Sequence, residues 1–332
     1  MANTKYKLRY LPLFYKDLEE KIVYIAEELH NEKAANDLLD EVETAILERQ
    51  PVAESFEPYR SLRERRYPYY RIYVKNFVVY YVVIDDEGED DSMSQLKYKR
   101  IMLKVSGEAL AGANRRGLDF DVINSVCRSI KECTELGVQV GLMVGAGNFW
   151  RGVKDGADKM QRSHADAMGM LGTVMNSIAV ADALEKHGVD ARVLSAVEMH
   201  KFCEYFTRDT ADRYLKEGKV VIFAAGTGNP YFSTDTGVVL RGVEIEADAI
   251  LMAKNIDAIY SADPRLDPNA VRYSQLTYSE ALAKNLKATD TTAMALAMDN
   301  DMTMVCFGLD EENSIIRVVK GEEIGTTVKN HF

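Results

Sequence analysis

Two patterns of apolar residues divide this chain, and the first covers about the first 84 residues. Tyr6 to Leu11 alternates as a strand does, and apolar positions at helical spacing follow over about Leu13 to Glu28 and Glu32 to Gln50. Two β-rich runs then flank the polar pair Lys75-Asn76, which is typical of a hairpin. The pattern predicts a small α+β domain with the element order β-α-α-β-β.

From about residue 93, strand-like runs alternate with helical segments. The runs KRIMLKVSG, VQVGLMVGAGN and KVVIFAAGTGNP each end in a glycine-rich turn, and helical segments such as DFDVINSVCRSIKECTELG lie between them. This alternation predicts a mainly parallel sheet with helices on both faces. Since ligands of such sheets bind beyond the carboxyl ends of the strands, we expect the functional site at the three turns.

An acidic run separates the two patterns. Six of the eight residues from Asp85 to Ser92 are acidic, and such a run is usually a solvated loop or linker because it cannot be buried. Eleven of the 18 tyrosines lie before Met93, whereas Gly, Ala and Met dominate after it. We therefore predict domains at residues 1–84 and 93–332 joined by a linker at 85–92. An acidic loop inside a single domain is the alternative.

Composition excludes several classes of protein. The 332 residues are 47% hydrophobic and 28% charged, as in an ordinary folded protein, and no apolar run approaches the roughly 20 residues of a membrane span. The N-terminus lacks the apolar region of a secretory signal, so we expect a cytoplasmic protein. The four cysteines are scattered without metal-ligand spacing, which favours reduced, packed thiols and no metal site.

The charge balance argues against a general nucleic-acid binder. The net charge is −11, with 13 basic and 20 acidic residues before Met93 and 28 basic and 32 acidic residues from there on. Neither part has the basic excess of a nucleic-acid-binding domain. Any phosphate group must therefore be bound in a local pocket.

The N-terminal part, with its FEPYRSLRERRYPYYRIYVKNFVVYYVV segment, resembles the RelE/ParE family of bacterial toxins over about Tyr6 to Ile84. The resemblance implies inhibition of translation or of DNA gyrase, and an antitoxin partner. The last, often basic strand of that family is replaced here by the acidic run, so we do not expect an active toxin. Four arginines of this segment could contact an RNA or an acidic partner, although a solvated strand face is the more ordinary interpretation. They are Arg60, Arg63, Arg65 and Arg66.

The glycine turns are weak signals when taken singly. None has the spacing of the dinucleotide-binding fingerprint, and the chain has no P-loop motif. Three such turns with Lys104 and Arg151 beside two of them are more specific, because backbone N–H groups and a nearby cation together form a phosphate-binding cradle.

The segments YKRIMLKVSGEAL, VGAGNFWRG, HADAMGMLGTVMNSIAVADAL, AAGTGNPYFSTDTGVVLRGVEIEAD, YSADP and QLTYSEAL together resemble the bacterial UMP kinases of the amino-acid kinase superfamily. The resemblance covers Tyr98 to Thr327. It implies a three-layer α-β-α sandwich and transfer of the γ-phosphoryl group of ATP to UMP, which forms UDP for pyrimidine nucleotide biosynthesis. Because the second pKa of a phosphate monoester is about 6, the acceptor needs no general base, and catalysis is positioning and electrostatics.

The resemblance also implies the site residues. Lys104, Arg151 and Asp235 are the expected catalytic residues, with Asp235 orienting Lys104 or a metal ion. The expected ATP contacts are Lys104, Val105, Ser106, Gly107, Gly147, Arg151, Lys254, Tyr260 and Asp263, although the last is equally typical of an Asp-Pro turn. The expected UMP contacts are Gly145, Ala146, Asp166, Thr227, Gly228, Asn229, Pro230, Tyr231, Phe232, Ser233 and Thr234.

Two of the expected UMP contacts carry alternatives. Ala146 stands where the family commonly has a glycine, so the question is whether its methyl group lets the backbone approach the acceptor nucleotide closely. A helix N-cap or a first-turn acid is the alternative role for Asp166.

Cofactor, regulation and assembly follow from the same resemblance. It implies Mg²⁺ bound with ATP and held mainly by the nucleotide phosphates, activation by GTP, inhibition by UTP and a homohexamer. The expected GTP-response segment contains Gly112, Arg115, Arg116 and Gly117. A solvated turn explains the same residues equally well. The long apolar helix at MGMLGTVMNSIAV suits a buried or subunit-interface position. The alternatives to a two-domain kinase are a toxin-like binding module carried by the kinase part, and a read-through fusion with its true start at Met93.

Overall fold

The chain divides into two compact units, residues 1–89 and 90–332, and the division falls within the acidic run at 85–92. The computed structural model describes residues 6, 8, 10, 12–59, 68–83, 96–151, 156, 159–286, 289–311 and 313–332. The predicted linker, the four arginines between residues 60 and 66, and Met93 lie outside these residues.

The first unit consists of two helices and a hairpin in the part of it that the structure describes. Its elements are α1 (Pro12–Val23), a π-helical turn (Tyr24–Glu28), α2 (Glu32–Arg49), β1 (Tyr69–Val74) and β2 (Phe77–Val82). The two strands pair antiparallel across the turn at Lys75-Asn76, which confirms the predicted hairpin. Leu38, Val42 and Ile46 of α2 pack on the inward face of β1 and form the small core. The strand predicted at 6–11 is absent at Tyr6, Leu8 and Tyr10, and its other residues lie outside the described ranges.

The second unit alternates strands and helices as the sequence predicts. Its strands are β3 (Arg100–Val105), β4 (Gln139–Val144), β5 (Ala191–Ser195), β6 (Glu204–Tyr205), β7 (Val220–Ala224), β8 (Ala249–Lys254), β9 (Ile259–Tyr260), β10 (Arg272–Tyr273), β11 (Gln275–Thr277), β12 (Met304–Gly308) and β13 (Thr326–Lys329). Its helices are α3 (Phe120–Glu135), α4 (Arg162–Lys186), α5 (Arg208–Lys216), α6 (Thr234–Glu244), α7 (Tyr278–Ala283), α8 (Thr291–Asp299) and α9 (Ser314–Val319).

Nine of these strands form one sheet among the described residues, in the order β11-β13-β12-β8-β3-β4-β7-β5-β6. The pairs are parallel except for β12 with β13. Strand β3 lies between β4 and β8, so the chain moves outward on one side of β3 and later crosses to its other side. Ligands bind in the crevice that such a change of direction opens beyond the carboxyl ends of the strands.

Helices cover both faces of this sheet, which confirms the predicted three layers. Ile101, Leu103 and Val105 of β3 face a core that includes α3, α4 and α9. Met102 faces the opposite core, which includes α5, α6, α7 and α8. Because side chains alternate along a strand, Lys104 belongs to the second face.

The helix α4 is long and apolar enough to cross a membrane by length and composition. This differs from the sequence expectation that no segment approaches that length. However, Val180, Ala183 and Leu184 pack in the core between the sheet and α3. A stripe of apolar side chains on α4, each 40–52% exposed, consists of Met168, Leu171, Met175 and Ile178.

Candidate active site

The turns after β3 and β4 meet through their backbones. A side-chain carbon built at Gly107 would lie 2.1 Å from the carbonyl oxygen of Gly145. Only glycine permits this approach, because a β-carbon essentially never comes within 3.0 Å of a non-bonded atom from another part of the chain. Gly107 therefore brings the two turns together beyond the sheet, where the glycine pattern predicts the site.

A carboxylate between two lysines forms the centre of this region. Lys104 near the end of β3 lies 2.9 Å from one oxygen of Asp235 in the first turn of α6, and Lys254 at the end of β8 lies 3.5 Å from the other. The hydroxyl of Thr289 donates to Asp235 at 2.8 Å. The structure thus brings together three residues that the resemblance assigned to the site.

The surroundings of Asp235 keep it ionised. Burial alone would raise the pKa of this carboxyl group, but the lysine cations Lys104 and Lys254 and the hydroxyl of Thr289 outweigh burial, so its pKa lies well below the usual value. The charged Asp235 therefore pairs with two ammonium groups at once. Two cations held beside an ionised carboxylate are able to stabilise negative charge that develops on a bound group.

A second aspartate supports α6, and sequence reasoning missed it. Asp290 caps α8 by accepting from the amide of Ala293 at 2.7 Å. It also accepts from the hydroxyl of Ser233 and, at 3.0 Å, from that of Thr236. Asp290 therefore joins the start of α8 to the start of α6. An Asp ahead of an apolar helix was visible as a capping signal, but its contacts with residues 54 to 57 positions away were not.

A cavity of about 710 Å³ opens beside the two lysines. It is lined by Lys104, Ser106, Glu108, Lys254 and most of segment 255–265, including Tyr260 and Asp263. The hydroxyl of Tyr260 donates to Asp257 at 2.9 Å, and this bond raises its pKa. Asp263 accepts from the amide of Arg265 at 2.9 Å, so it has the turn geometry that Asp-Pro predicts while also lining the cavity.

The guanidinium of Arg151 pairs with Glu108, a residue that the sequence analysis did not single out. Glu108 comes directly after Gly107, and Arg151 lies four residues beyond Gly147. The ion pair therefore holds the predicted phosphate-binding arginine beside the two glycine turns.

Asp166 lies in α4 and contacts the predicted acceptor segment. It is the fifth residue of α4, and the residue at the N-cap is Gln161, so the capping and first-turn alternatives are wrong. Its carboxylate pairs with Arg162 and accepts from the backbone amide of Tyr231 at 2.8 Å. The indole of Trp150 donates to the carbonyl oxygen of Ala165 at 2.8 Å.

The predicted acceptor segment, residues 227–234, runs from the turn after β7 to α6. Thr227 and Asn229 bond to each other within a tight turn. Ser233 caps α6 by accepting from the amides of Asp235 and Thr236. The segment thus ends directly before Asp235, the residue that pairs with the two lysines. The backbones of Gly228, Pro230, Phe232 and Thr234 complete it.

The methyl group of Ala146 points at helix α4. A β-carbon built at Gly172 would lie 2.9 Å from the β-carbon of Ala146. The alanine that stands where the family commonly has glycine is therefore accommodated by the missing side chain at Gly172.

Two buried amides hold the same turn. Asn176 donates to the carbonyl of Gly145 at 2.6 Å and exchanges hydrogen bonds of 2.8 and 2.9 Å with Asn148. Asn148 also donates to the carbonyl of Gly117 at 2.8 Å. Gly117 ends the predicted GTP-response segment, in which Gly112 and Arg115 have positive φ while Arg115 and Arg116 are exposed. The amide pair thus connects that segment to the glycine turn.

The cysteines are free, and Cys127, Cys133 and Cys306 are buried. Burial raises the pKa of Cys127 and Cys133 to about 12, which makes them unreactive. Among the residues that the structure describes, no group of three or more His, Cys, Asp and Glu side chains is arranged to hold a metal ion.

Comparison with known proteins places this geometry in a family. A model of the amino acid kinase family matches residues 99–308. The UMP kinase of Bacillus anthracis is 31% identical, with a TM-score of 0.68 over 71% of this chain and 97% of that one. The UMP kinase of Ureaplasma parvum is 35% identical, with a TM-score of 0.66 over 70% and 100%. The uridylate kinase of Archaeoglobus fulgidus shares the fold at 23% identity, with a TM-score of 0.54 over 69% and 99%.

Proposed function

The chain belongs to the amino acid kinase family, and we propose that its larger unit is a UMP kinase that transfers the γ-phosphoryl group of ATP to UMP. The observation that carries the proposal is the pairing of Lys104 and Lys254 with one ionised aspartate beside the glycine turns. The similarity to two UMP kinases over nearly their whole lengths supports UMP as the acceptor.

The reaction requires two polyanions to be held together while charge moves between them. ATP would occupy the cavity beside Lys254, Tyr260 and Asp263, with its phosphates at Ser106 and Gly107. UMP would bind between Asp166 and segment 227–234, with its phosphate toward Gly145. Lys104, fixed by Asp235, would then stabilise the transferred phosphoryl group, and Arg151 would exchange Glu108 for a nucleotide phosphate.

We propose that Mg²⁺ accompanies ATP. The residues present fit such an ion, because Mg²⁺ bound with a nucleotide needs only one or two protein carboxylates and takes its other ligands from phosphates and water. Asp235 is the carboxylate that would face it. When bound, the ion neutralises phosphate charge and helps to align the two nucleotides.

Assembly and regulation belong to the same proposal. The exposed apolar stripe on α4 supports a homo-oligomer, which we propose to be a hexamer, because such a stripe is stabilised when a second subunit covers it. The bonds from Asn148 to Gly117 and Asn176 support a response of the glycine turn to GTP at segment 112–117. Inhibition by UTP, a cytoplasmic location and a place in pyrimidine nucleotide synthesis remain proposals from the resemblance alone.

The smaller unit is proposed to be a RelE/ParE-like module, with an antitoxin as its possible partner. Two helices packed on an antiparallel hairpin support that relationship in the described residues. The kinase proposal does not depend on it, and it holds equally if only a product that starts at Met93 functions in the cell.

The proposal is tested by ADP release from the full chain with ATP and Mg²⁺, using UMP, CMP, carbamate or acetylglutamate as the acceptor. We expect strong release with UMP and, in Lys104→Ala, a loss of about 100-fold or more, the scale of removing one preorganised charge-stabilising group. A matched control is Lys186→Ala, since Lys186 forms an exposed ion pair at the far end of α4. Turnover with another acceptor, or full activity in Lys104→Ala, would refute the proposal.

A further inference from the structure

One carboxylate joins the first turns of α4 to the proposed acceptor segment. The Nε atom of Arg162 lies 2.9 and 2.8 Å from the two oxygens of Asp166. The second of these oxygens also accepts from the amide of Tyr231 at 2.8 Å. The Asp166 side chain is 13% exposed and that of Arg162 is 43% exposed. The carboxylate is therefore mostly buried, whereas the cation that holds it is reachable from solvent.

The arginine also contacts the acceptor segment itself. Its guanidinium carbon lies 5.5 Å from the ring centroid of Tyr231, within the range of a cation–π interaction. Tyr231 has a φ of 69°, a left-handed conformation that non-glycine residues adopt at some energetic cost. The contacts with Arg162 and Asp166 offset that cost, so they set the shape of the segment at this residue.

The ion pair is poorly placed to stabilise the helix. Arg162 is the first residue of α4, whose N-cap residue makes no side-chain capping bond and whose first turn contains no acidic residue. A cation at a helix N-terminus opposes the helix dipole, and a cation that precedes its acidic partner by four residues is the weaker arrangement of such a pair. The energetics of the helix therefore do not explain Arg162, and a residue that breaks such local rules is expected at a functional site.

We propose that Arg162 is a positioning residue for the acceptor nucleotide, and this inference rests on the proposed UMP kinase function. Arg162 holds Asp166 and Tyr231 in one arrangement, so that the carboxylate faces the acceptor in a fixed orientation. An ionised carboxylate has about four acceptor positions, and Arg162 and Tyr231 already use three contacts. One acceptor position is then left, so the two hydroxyl groups of a ribose would have to share or replace at least one of these bonds, and Arg162 keeps the carboxylate in place during that exchange.

Steady-state kinetics and fluorescence of the full chain test the inference. Trp150 is the single tryptophan of the chain and bonds to Ala165, next to Asp166, so its emission reports UMP binding without ATP. We expect Arg162→Gln to raise the KM and the dissociation constant for UMP about tenfold, the factor that one charge-assisted hydrogen bond contributes. The kcat and the KM for ATP should stay unchanged, and Arg162→Lys should lie in between.

The matched control is Lys186→Gln, which removes a similar i,i+4 ion pair from the opposite end of the same helix. It should change none of these quantities. The inference is overturned if Arg162→Gln binds UMP as tightly as the control does. It is equally overturned if Arg162→Gln loses affinity for UMP and ATP together with a lowered thermal midpoint, because that is the behaviour of a purely structural residue. Absence of UMP-dependent turnover in the unmodified chain would instead refute the proposed function.

Discussion

The contact between Ala146 and Gly172 predicts that a single methyl group on α4 disturbs the glycine turn. In Gly172→Ala the new β-carbon would lie 2.9 Å from that of Ala146, whereas carbon atoms in contact prefer about 3.5–4.0 Å. The helix or the turn must therefore move by several tenths of an ångström. Since Ala146 belongs to the turn proposed to bind UMP, the KM for UMP should rise as well.

Two opposing terms set the magnitude. Overpacking a well-packed site costs about 1–3 kcal/mol, and alanine favours a helix interior over glycine by about 1 kcal/mol. Gly172→Ala should therefore lower the free energy of unfolding by about 0–2 kcal/mol. In an Ala146→Gly background the nearest remaining atoms would be the β-carbon of Phe149 at 3.7 Å and the α-carbon of residue 146 at 3.9 Å, which are ordinary contacts. There the same substitution should stabilise by about 1 kcal/mol.

The assay is a double-mutant cycle on the parent chain, the two single variants and the double variant. Urea unfolding followed by Trp150 fluorescence reports the larger unit, because the chain has no other tryptophan. We expect a coupling energy of about 1–3 kcal/mol and recovery of the KM for UMP in the double variant. Distant, independent sites add to within about 0.5 kcal/mol, so a coupling that small would refute the contact and its link to the acceptor turn.

Two further predictions concern the central aspartate and the surface of α4. Asp235→Asn removes the carboxylate that pairs with Lys104 and Lys254, both of which are largely buried. It should lower the free energy of unfolding by about 3–5 kcal/mol. Urea unfolding measures this loss, and Asp182→Asn, which removes an exposed ion pair, is the control. Folding lowers the pKa of Asp235. Its contribution to the free energy of unfolding is therefore complete above the pKa of an unfolded aspartate and is lost as the pH falls toward the pKa of the folded state. The stability difference should thus be constant near neutrality and shrink in acid; a difference that grows in acid would contradict the assignment. Leu171→Glu, on the exposed stripe, should dissociate the proposed oligomer in sedimentation velocity, whereas Leu266→Glu on an exposed loop should not. Unchanged assembly in both variants would argue against α4 as the interface.

Local sequence determined most of the second unit's architecture. The alternation of strands and helices predicts a parallel sheet, and the three glycine turns with Lys104 beside one of them stand out in the order of residues alone, because backbone propensity and side-chain period are properties of neighbouring residues. Asp235 is expected only from the family resemblance. The same local signals predict the helix pair and hairpin of the first unit. The strand expected at 6–11, which is not formed at its described residues Tyr6, Leu8 and Tyr10, shows the limit of such reasoning, because alternation in a short segment does not ensure a partner strand.

Tertiary structure decided which of these residues meet. Lys104 and Asp235 are 131 positions apart, and they pair because β3 lies beside β8 and α6 crosses the second face of the sheet. The sequence gives no sign of the long-range contacts made by Asp290, by Arg162 or between Ala146 and Gly172. Each of these contacts depends on the rotation of a helix against a turn. Sequence periodicity fixes which face of an element is apolar, whereas the order of strands and the packing of side chains fix which polar groups on those elements come within bonding distance.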